Sequence, residues 1–288
     1  MNEVRTLPPN EYPSPLREIP EPPETLYVCG TLPSTEALWL AVVGSRRFSS
    51  YGKEVCEKII GELAGENVVV VSGLALGIDA FAHEAALRAG LLTVALPGSG
   101  LSESVLYPRA HLGLARSIVE KGGALLSEFA PDFRATPFSF PQRNRLMAGI
   151  TRGTLVVEAG ERSGTLITAR LALEYNRDVF TVPASIFSKN SEGSNRLLRQ
   201  GAVPVTSGAD ILEQWGIEKR DEGQETRDKK IKGCSPEERR VLEMLAEPCE
   251  RDALLRALGM PIHEASALLS AMEIQGLIKE TMGEIRIA

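Results

Sequence analysis

The sequence predicts an α/β protein with a doubly wound, mostly parallel sheet, followed by a small helical domain. Short apolar runs rich in valine and leucine recur through residues 39–183, and such continuous runs are typical of strands buried on both faces. Stretches of helical period separate these runs. Alternation of strands and helices with right-handed crossovers produces a sheet of this kind. Beyond residue 233 the pattern changes to helices closed by a short hairpin.

The predicted sheet domain consists of six strands and four helices. The strands lie at residues 39–44, 68–73, 92–98, 124–128, 154–160 and 178–183. The helices lie at residues 51–64, 77–89, 111–121 and 165–175. In the first helix Val55, Ile59 and Leu63 fall on one face. Because ligands of such sheets bind beyond the carboxyl ends of the strands, the turns that lead into helices are the candidate sites.

Four segments are expected along the chain. Residues 1–38 are rich in proline and predict an extended arm packed on the core, which is formed by residues 39–217. Residues 218–233 are charged and nearly free of apolar side chains, as in a linker. In residues 234–288 a capping box at Ser235 begins helices at 237–245, 251–258 and 262–275, and strands follow at 277–281 and 284–288. This order predicts a winged-helix domain.

The composition is that of an ordinary folded protein. Of 288 residues, 43% are hydrophobic and 24% are charged, with a formal net charge of -6. No apolar run approaches the roughly 20 residues of a membrane helix, and the polar, proline-rich beginning is not typical of a secretory signal. The four cysteines form no CxxC pair and no zinc-like spacing, which predicts a reducing cytoplasm and no metal.

One stretch of this acidic chain contains no acidic residue. Residues 133–157 carry Arg134, Arg143, Arg145 and Arg152 and not one carboxylate. Arginines there can pair with phosphates, and Phe138 or Phe140 can stack on an unpaired base. The stretch therefore predicts a face for single-stranded nucleic acid. The alternative is that the phenylalanines belong to the core and the arginines cap local carbonyls.

Two glycine-rich turns have the composition of anion sites. The turn GSRRFSSYG follows the first strand and offers backbone N–H groups, a hydroxyl and two arginines. The turn EAGERSGTLITA places two hydroxyls and a glycine at a helix start. The residues of interest are Gly44, Ser45, Arg46, Arg47, Ser163, Gly164 and Thr165. Either turn can also be structural, as a tight turn with solvated arginines or an ordinary helix cap.

The other two turns are weaker candidates. In SGLALGIDAFAH, Gly73 and Gly77 supply flexibility, and Asp79 and His83 share one helical face, as an acid–base pair or as structural residues. In PGSGLSESVLYP, Glu103 stands where a dinucleotide fingerprint has its third glycine. GxxxxGK[ST] does not occur, so no nucleotide cofactor is expected.

These turns, in their order and spacing, resemble the DNA-processing protein family of bacteria, known as DprA or Smf. The resemblance covers nearly the whole chain. It is carried by the blocks YPSPLREIPEPPETLYVCG, VGSRRFSSYG, VSGLALGIDAFAH, PGSGLSESVLYP, LLSEF, FPQRNRLMAGI, VVEAGERSGTLITA, NRDVFTVP and SEGSNRLLRQGAVPV. Asn176 and Ala184 stand where the family usually has glycine, and neither lies among the DNA contacts that the resemblance implies.

The resemblance implies an extended Rossmann-like domain that binds single-stranded DNA, forms a homodimer and loads RecA during natural transformation, without enzymatic activity. Carried over by position, the turn at Gly44 would hold phosphates together with Ser163, Gly164 and Thr165. The pocket beside it would be shaped by Gly73, Gly77 and Asp79. The DNA strand would be contacted by Phe140, Arg143, Asn144 and Arg145.

A second hypothesis is an enzyme that hydrolyses a nucleotide or its phosphoribosyl bond. Its candidate residues are Asp79, His83 and Glu158. The predicted third helix of the winged-helix domain contains no Lys or Arg and includes Glu264 and Glu273, so we expect that domain to contact protein rather than DNA.

Overall fold

The computed structural model describes residues 3–217, 235–245, 249–281 and 284–287. The chain divides into two compact units, residues 1–219 and 220–288. The predicted linker at 218–233 lies outside the described residues. None of the described helices is long and apolar enough to span a membrane.

A nine-stranded sheet forms the first unit. Its strands are β1 (Arg5–Leu7), β2 (Leu26–Gly30), β3 (Leu38–Val43), β4 (Val68–Ser72), β5 (Leu92–Ala95), β6 (Ala124–Ser127), β7 (Gly153–Val156), β8 (Asp178–Thr181) and β9 (Val203–Pro204). Their order is β1-β2-β6-β5-β4-β3-β7-β8-β9, and only the β1–β2 and β2–β6 pairs are antiparallel. The predicted doubly wound, mostly parallel sheet is confirmed.

Helices cover both faces of the sheet. They are α1 (Ser50–Gly61), α2 (Ile78–Arg88), α3 (Leu112–Glu120), α4 (Ser139–Ile150), α5 (Thr165–Glu174), α6 (Glu192–Arg199) and α7 (Gly208–Gln214). Along β4, Val69 and Val71 belong to the core beneath α4, α5 and α6, whereas Val68 and Val70 belong to the core beneath α1, α2 and α7. The continuous valine run follows from this, since each successive side chain meets an apolar layer.

The proline-rich beginning of the chain does more than extend across the core. It contributes β1 and β2 to one edge of the sheet and buries Leu16 and Ile19 against α4. Arg177 donates a hydrogen bond to the carbonyl of Pro15 at 3.1 Å, which ties this segment to the end of α5. Strands β1 and β2 were not predicted, because the prolines between them argue against strands in this part of the sequence.

The second unit contains three helices and a small sheet. The helices are α8 (Pro236–Met244), α9 (Arg251–Leu258) and α10 (Ile262–Ile274), and the strands are β10 (Cys249–Glu250), β11 (Ile278–Thr281) and β12 (Glu284–Ile287), in the order β10-β12-β11. Ser235 and Glu238 form the predicted capping box. Val241, Leu269 and Ile285 are among the core residues of this unit. The arrangement agrees with the predicted winged helix.

Candidate functional site

A cleft lies where the strand order reverses, between β3 and β7. The chain adds strands to one side of β3 as far as β6 and then returns to the other side with β7, so the turns after β3 and β7 diverge from one point. The cleft has a volume of about 910 Å³. Of the residues singled out in the sequence, it is lined by Gly44, Ser45, Arg46, Arg47, Asp79, Phe140, Arg143, Asn144, Ser163, Gly164 and Thr165.

The turns after β3 and β7 are joined to each other across the cleft. The Thr165 hydroxyl donates to the carbonyl oxygen of Gly44 at 3.0 Å, and the Ser163 hydroxyl donates to Thr165 Oγ1 at 2.9 Å. The Ser45 hydroxyl oxygen accepts from the backbone N–H of Arg47 at 3.0 Å. The Thr165 bond thus joins the two turns, whereas the Ser163 and Ser45 bonds each order one turn.

Glu158 has a structural position behind this junction. It is 3% exposed, and its two carboxylate oxygens accept from Ser49, from the backbone N–H at 2.9 Å and from the hydroxyl at 2.7 Å. Ser49 in turn caps α1 by accepting from the N–H of Gly52 at 3.1 Å. Both oxygens of Glu158 are therefore occupied, which argues against the hydrolytic role considered above.

The turn after β4 forms the floor beside the cleft. Asp79 is buried and accepts from the N–H of Gly73 at 3.1 Å and of Ala75 at 3.4 Å. Burial raises the pKa of Asp79, and the neighbouring Arg143 opposes that rise. Gly77 has φ +86°, and a Cβ there would strike the carbonyl oxygen of Ser45. Gly73 and Gly77 thus shape the floor without lining the main cleft.

Leu74, in the same turn, is held in a strained conformation. It is fully buried with φ 58°, a left-handed region that non-glycine residues seldom occupy. His111 Nδ1 lies 2.7 Å from the carbonyl oxygen of Leu74 and fixes the turn from the outside. Such strain persists where the surrounding structure imposes it, and it is concentrated at functional sites.

Arg143 lies beneath the cleft surface. It projects from α4, is 4% exposed and donates from Nη1 to the carbonyl of Gly73 at 2.8 Å and from Nε to Asn144 Oδ1 at 3.2 Å. Burial lowers its pKa to about 10. It therefore stays protonated at neutral pH and supplies a positive charge to the floor.

Arg145, predicted to contact DNA, is directed elsewhere. Its guanidinium forms an ion pair with Glu128, the two side chains are 13% and 9% exposed, and Arg145 does not line the cleft. The cleft therefore gives no support to the DNA contact expected of Arg145, which stays a prediction. Successive residues of an α-helix point in directions about 100° apart, so Arg143 and Arg145, which are two positions apart, point in directions about 200° apart. Helix α4 therefore directs these two arginines to different sides.

An aromatic wall accompanies the cations. Phe140 is half-buried, with the guanidinium carbon of Arg46 5.0 Å from its ring centroid and the Tyr107 ring centroid 5.7 Å away. Phe140 packs over Gly98, where a Cβ would approach its ring to 2.5 Å. Phe138 is 85% exposed and does not line the cleft. Neither phenylalanine is a core residue.

Sequence reasoning missed three side chains here. Tyr107 is 47% exposed and lines a small recess that shares Arg46 and Phe140 with the cleft. Arg162 and Lys189 line the cleft itself. Arg162 stands inside the quoted turn EAGERSGTLITA and could have been selected there, whereas no local pattern marks Lys189.

The charge balance of the cleft is opposite to that of the chain. Five basic side chains line it, Arg46, Arg47, Arg143, Arg162 and Lys189, against one carboxylate, Asp79. In the part of the chain that the structure describes, the four exposed members of this basic set form no ion pair. A concave surface lined by one sign of charge concentrates ligands of the opposite sign.

His83 does not form an acid–base pair at the cleft. It is fully buried, with Nδ1 2.7 Å from the Thr93 hydroxyl oxygen, and that hydroxyl donates to the carbonyl of Val70 at 2.8 Å. Nδ1 must therefore carry the hydrogen. Burial lowers the pKa of His83 to about 3, so the ring is neutral. No group of three or more metal-binding side chains is present among the described residues.

The fold and the cleft define an α/β protein with a predominantly basic cleft at the switch point of its parallel sheet. Residues 3–216 match the family described as DNA recombination-mediator protein A, and residues 225–284 match the DprA winged helix domain. The chain belongs to this family.

Similar proteins agree with this assignment. Protein Smf of Escherichia coli is 39% identical over 94% of this chain and 74% of its own length. The X-ray structure of DNA processing protein A from Streptococcus pneumoniae is 40% identical, covers 76% of each chain and has a TM-score of 0.67. DNA processing protein A from Helicobacter pylori, studied structurally for its single-stranded DNA binding mode, is 30% identical over 74% of this chain and 96% of its own, with a TM-score of 0.65.

Proposed function

We propose that this chain is a single-stranded DNA-binding recombination mediator that acts without turnover. The observation that carries the proposal is the cleft with five basic side chains and one carboxylate in a chain of net charge -6. Phosphate neutralisation dominates the affinity of proteins for nucleic acid, and arginine forks match phosphate oxygens. Phe140 and Tyr107 beside Arg46 add ring surfaces on which unpaired bases can stack.

Three features favour a single strand over a duplex. Aromatic side chains stand beside the cations, and stacking requires bases that are not paired. The basic side chains line a concave cleft rather than a protruding helix that could enter a groove. The H. pylori relative was studied for this binding mode.

The proposal is tested by titrating a labelled oligothymidylate across a salt series. Arg46→Ala and Arg47→Ala each remove an exposed cleft cation, and Arg134→Ala is the matched control, an exposed arginine of the acid-free stretch that does not line the cleft. Each lost phosphate contact is expected to weaken binding and to flatten the salt slope by about 0.7. Unchanged slopes for both cleft variants, or an equal change in Arg134→Ala, would contradict the proposal.

The wider role that we propose is protection of incoming DNA and loading of RecA by a homodimer during natural transformation. Family membership supports it. Light scattering on the purified chain tests the dimer. Strand exchange by RecA on DNA coated with a single-strand-binding protein, with and without this chain, tests loading. Incubation with nucleotides, followed by a search for product, tests the absence of turnover.

A further inference from the structure

The loop between β8 and α6 exposes two adjacent apolar side chains. Ile186 is 81% exposed and Phe187 is 92% exposed, which makes Phe187 the most exposed aromatic residue in the described ranges. Placing a phenylalanine ring in water forgoes roughly 1.5–3 kcal/mol of burial. A function that uses the ring would account for this position.

Hydrogen bonds to other parts of the sheet domain hold both ends of this loop in place. At its start, the carbonyl of Pro183 accepts from the Tyr51 hydroxyl at 2.9 Å, and the carbonyl of Ala184 accepts from the Asn195 amide at 3.1 Å. At its end, the Asn190 amide donates to the carbonyl of Arg47 at 2.9 Å. The loop is thus attached to α1, to α6 and to the turn that carries the cleft arginines.

The same loop continues into the cleft wall a few residues after the two apolar side chains, which do not line the cleft themselves. Lys189 and Asn190 line the cleft, and Phe187 is two residues before Lys189, at most about 7 Å away along the chain. A chain of contacts links the aromatic wall to this loop. The Tyr107 ring lies against Phe140, Arg46 lies over the Phe140 ring, and the backbone of the next residue, Arg47, accepts from Asn190. Residues 183–191 include one lysine and no acidic residue, and the nearest carboxylate along the chain is the exposed Glu192 at the start of α6.

We propose that Phe187, with Ile186 beside it, is a second stacking platform that holds an unpaired nucleobase just outside the cleft. The proposal rests on the proposed binding of single-stranded DNA. A phosphate bound at Lys189 brings the neighbouring base within reach of the Phe187 ring, and stacking on it requires no particular base. The strand would then be held by aromatic rings at two places, with the cations between them.

Two single substitutions, each compared on two strands, separate stacking from charge. The probes are an oligothymidylate and an abasic deoxyribose-phosphate strand of the same length. Phe187→Ala is expected to weaken binding of the oligothymidylate by about 5- to 150-fold. It should leave the abasic strand and both salt slopes unchanged, because no phosphate contact is removed. Phe138→Ala, which removes an 85% exposed ring outside the cleft, should match the wild type on both strands.

A fluorescence variant gives an independent readout. Phe187→Trp should retain affinity, and its emission should be quenched by the oligothymidylate and not by the abasic strand. The native Trp39 and Trp215 are 4% and 5% exposed, so the wild-type protein provides the background signal.

Four results would overturn the platform. Equal binding by the wild type and Phe187→Ala would remove it while leaving the proposed function intact. Equal weakening on the two strands, or a lower molecular mass of Phe187→Ala by light scattering, would instead identify the loop as an interface between copies of the chain. A wild type that bound neither strand would reject the proposed function and the platform together.

Discussion

Arg143 donates a hydrogen bond to the carbonyl oxygen of Gly73 at 2.8 Å, so the buried guanidinium is fixed by the backbone of the turn after β4. The side-chain space at Gly73 is already filled. A Cβ there would lie 2.5 Å from Arg143 Nη1 and 2.6 Å from Asp79 Oδ2. The turn therefore requires glycine in order to hold Arg143 in place.

Gly73→Ala is expected to displace Arg143 from the cleft floor. Such overpacking costs about 1–3 kcal/mol of folding stability, and we expect a loss of oligonucleotide affinity as well. Gly61→Ala is the control, since no atom lies within 4 Å of a Cβ at that exposed helical position. The checks are denaturant unfolding and an oligonucleotide titration. Wild-type affinity in Gly73→Ala would show that Arg143 is not needed at its observed position.

Arg145→Ala is expected to lower stability without changing the salt slope of DNA binding. It leaves Glu128 in a partly buried site where burial already raises the pKa of that carboxyl. Breaking such a pair costs on the order of 3 kcal/mol. Replacing both partners, as in Arg145→Met with Glu128→Leu, should recover part of this loss. A flattened salt slope in Arg145→Ala would instead support the predicted DNA contact of that residue.

His83 should make the sheet domain less stable in acid. Its pKa is lowered to about 3 in the folded protein, so between pH 6.5 and about 3 the unfolded chain binds a proton that the folded chain does not. Stability therefore falls as the pH drops, by about 2 kcal/mol between pH 6.5 and 5.

His83→Gln should abolish that dependence, while His263→Gln, at an exposed position, should not. Fluorescence of Trp39 and Trp215 reports unfolding, since both tryptophans lie in the first unit. An unchanged acid dependence in His83→Gln would assign it to other groups.

Deleting residues 234–288 should leave the affinity for an oligonucleotide within about threefold, because α10 contains no Lys or Arg to pair with a phosphate. Arg251 in the same unit is occupied by Glu280 at 2.7 Å and Glu273 at 3.4 Å. Titration of the shortened and full-length chains provides the comparison. A large loss would make the winged-helix domain a DNA contact instead of the protein contact that we expect.

The sheet could be predicted from the sequence because continuous valine-rich runs are typical of parallel strands that are buried on both faces. Helix α4 was not among the predicted helices, since its first turn contains a proline and its sequence has few apolar residues at helical spacing. Pro141 stands in its first turn, where a missing N–H is tolerated. Asn176 replaces a glycine expected from the family resemblance and adopts φ 56°, a conformation that asparagine accepts more readily than most residues.

Residues of the candidate site could be predicted where a single turn combines glycines with hydroxyls or arginines, as at Arg46 and Ser163. It was not predictable where tertiary pairing decided the outcome. The proximity of Glu128 to Arg145 depends on how α4 packs against the end of β6. Lys189 reaches the cleft because its neighbour Asn190 bonds the backbone of Arg47, a contact across 143 residues of sequence.

The cleft wall is assembled from segments as far apart as Gly44 and Asn190, and the unfolded chain has no equivalent of it. A bound oligonucleotide would therefore stabilise the folded chain, because it binds the folded state and not the unfolded one. At one hundred times its dissociation constant it would add about 2.7 kcal/mol to the free energy of unfolding. Binding would then protect both molecules. The nucleic acid would be enclosed by the cleft, and the polypeptide would become more resistant to heat and proteases.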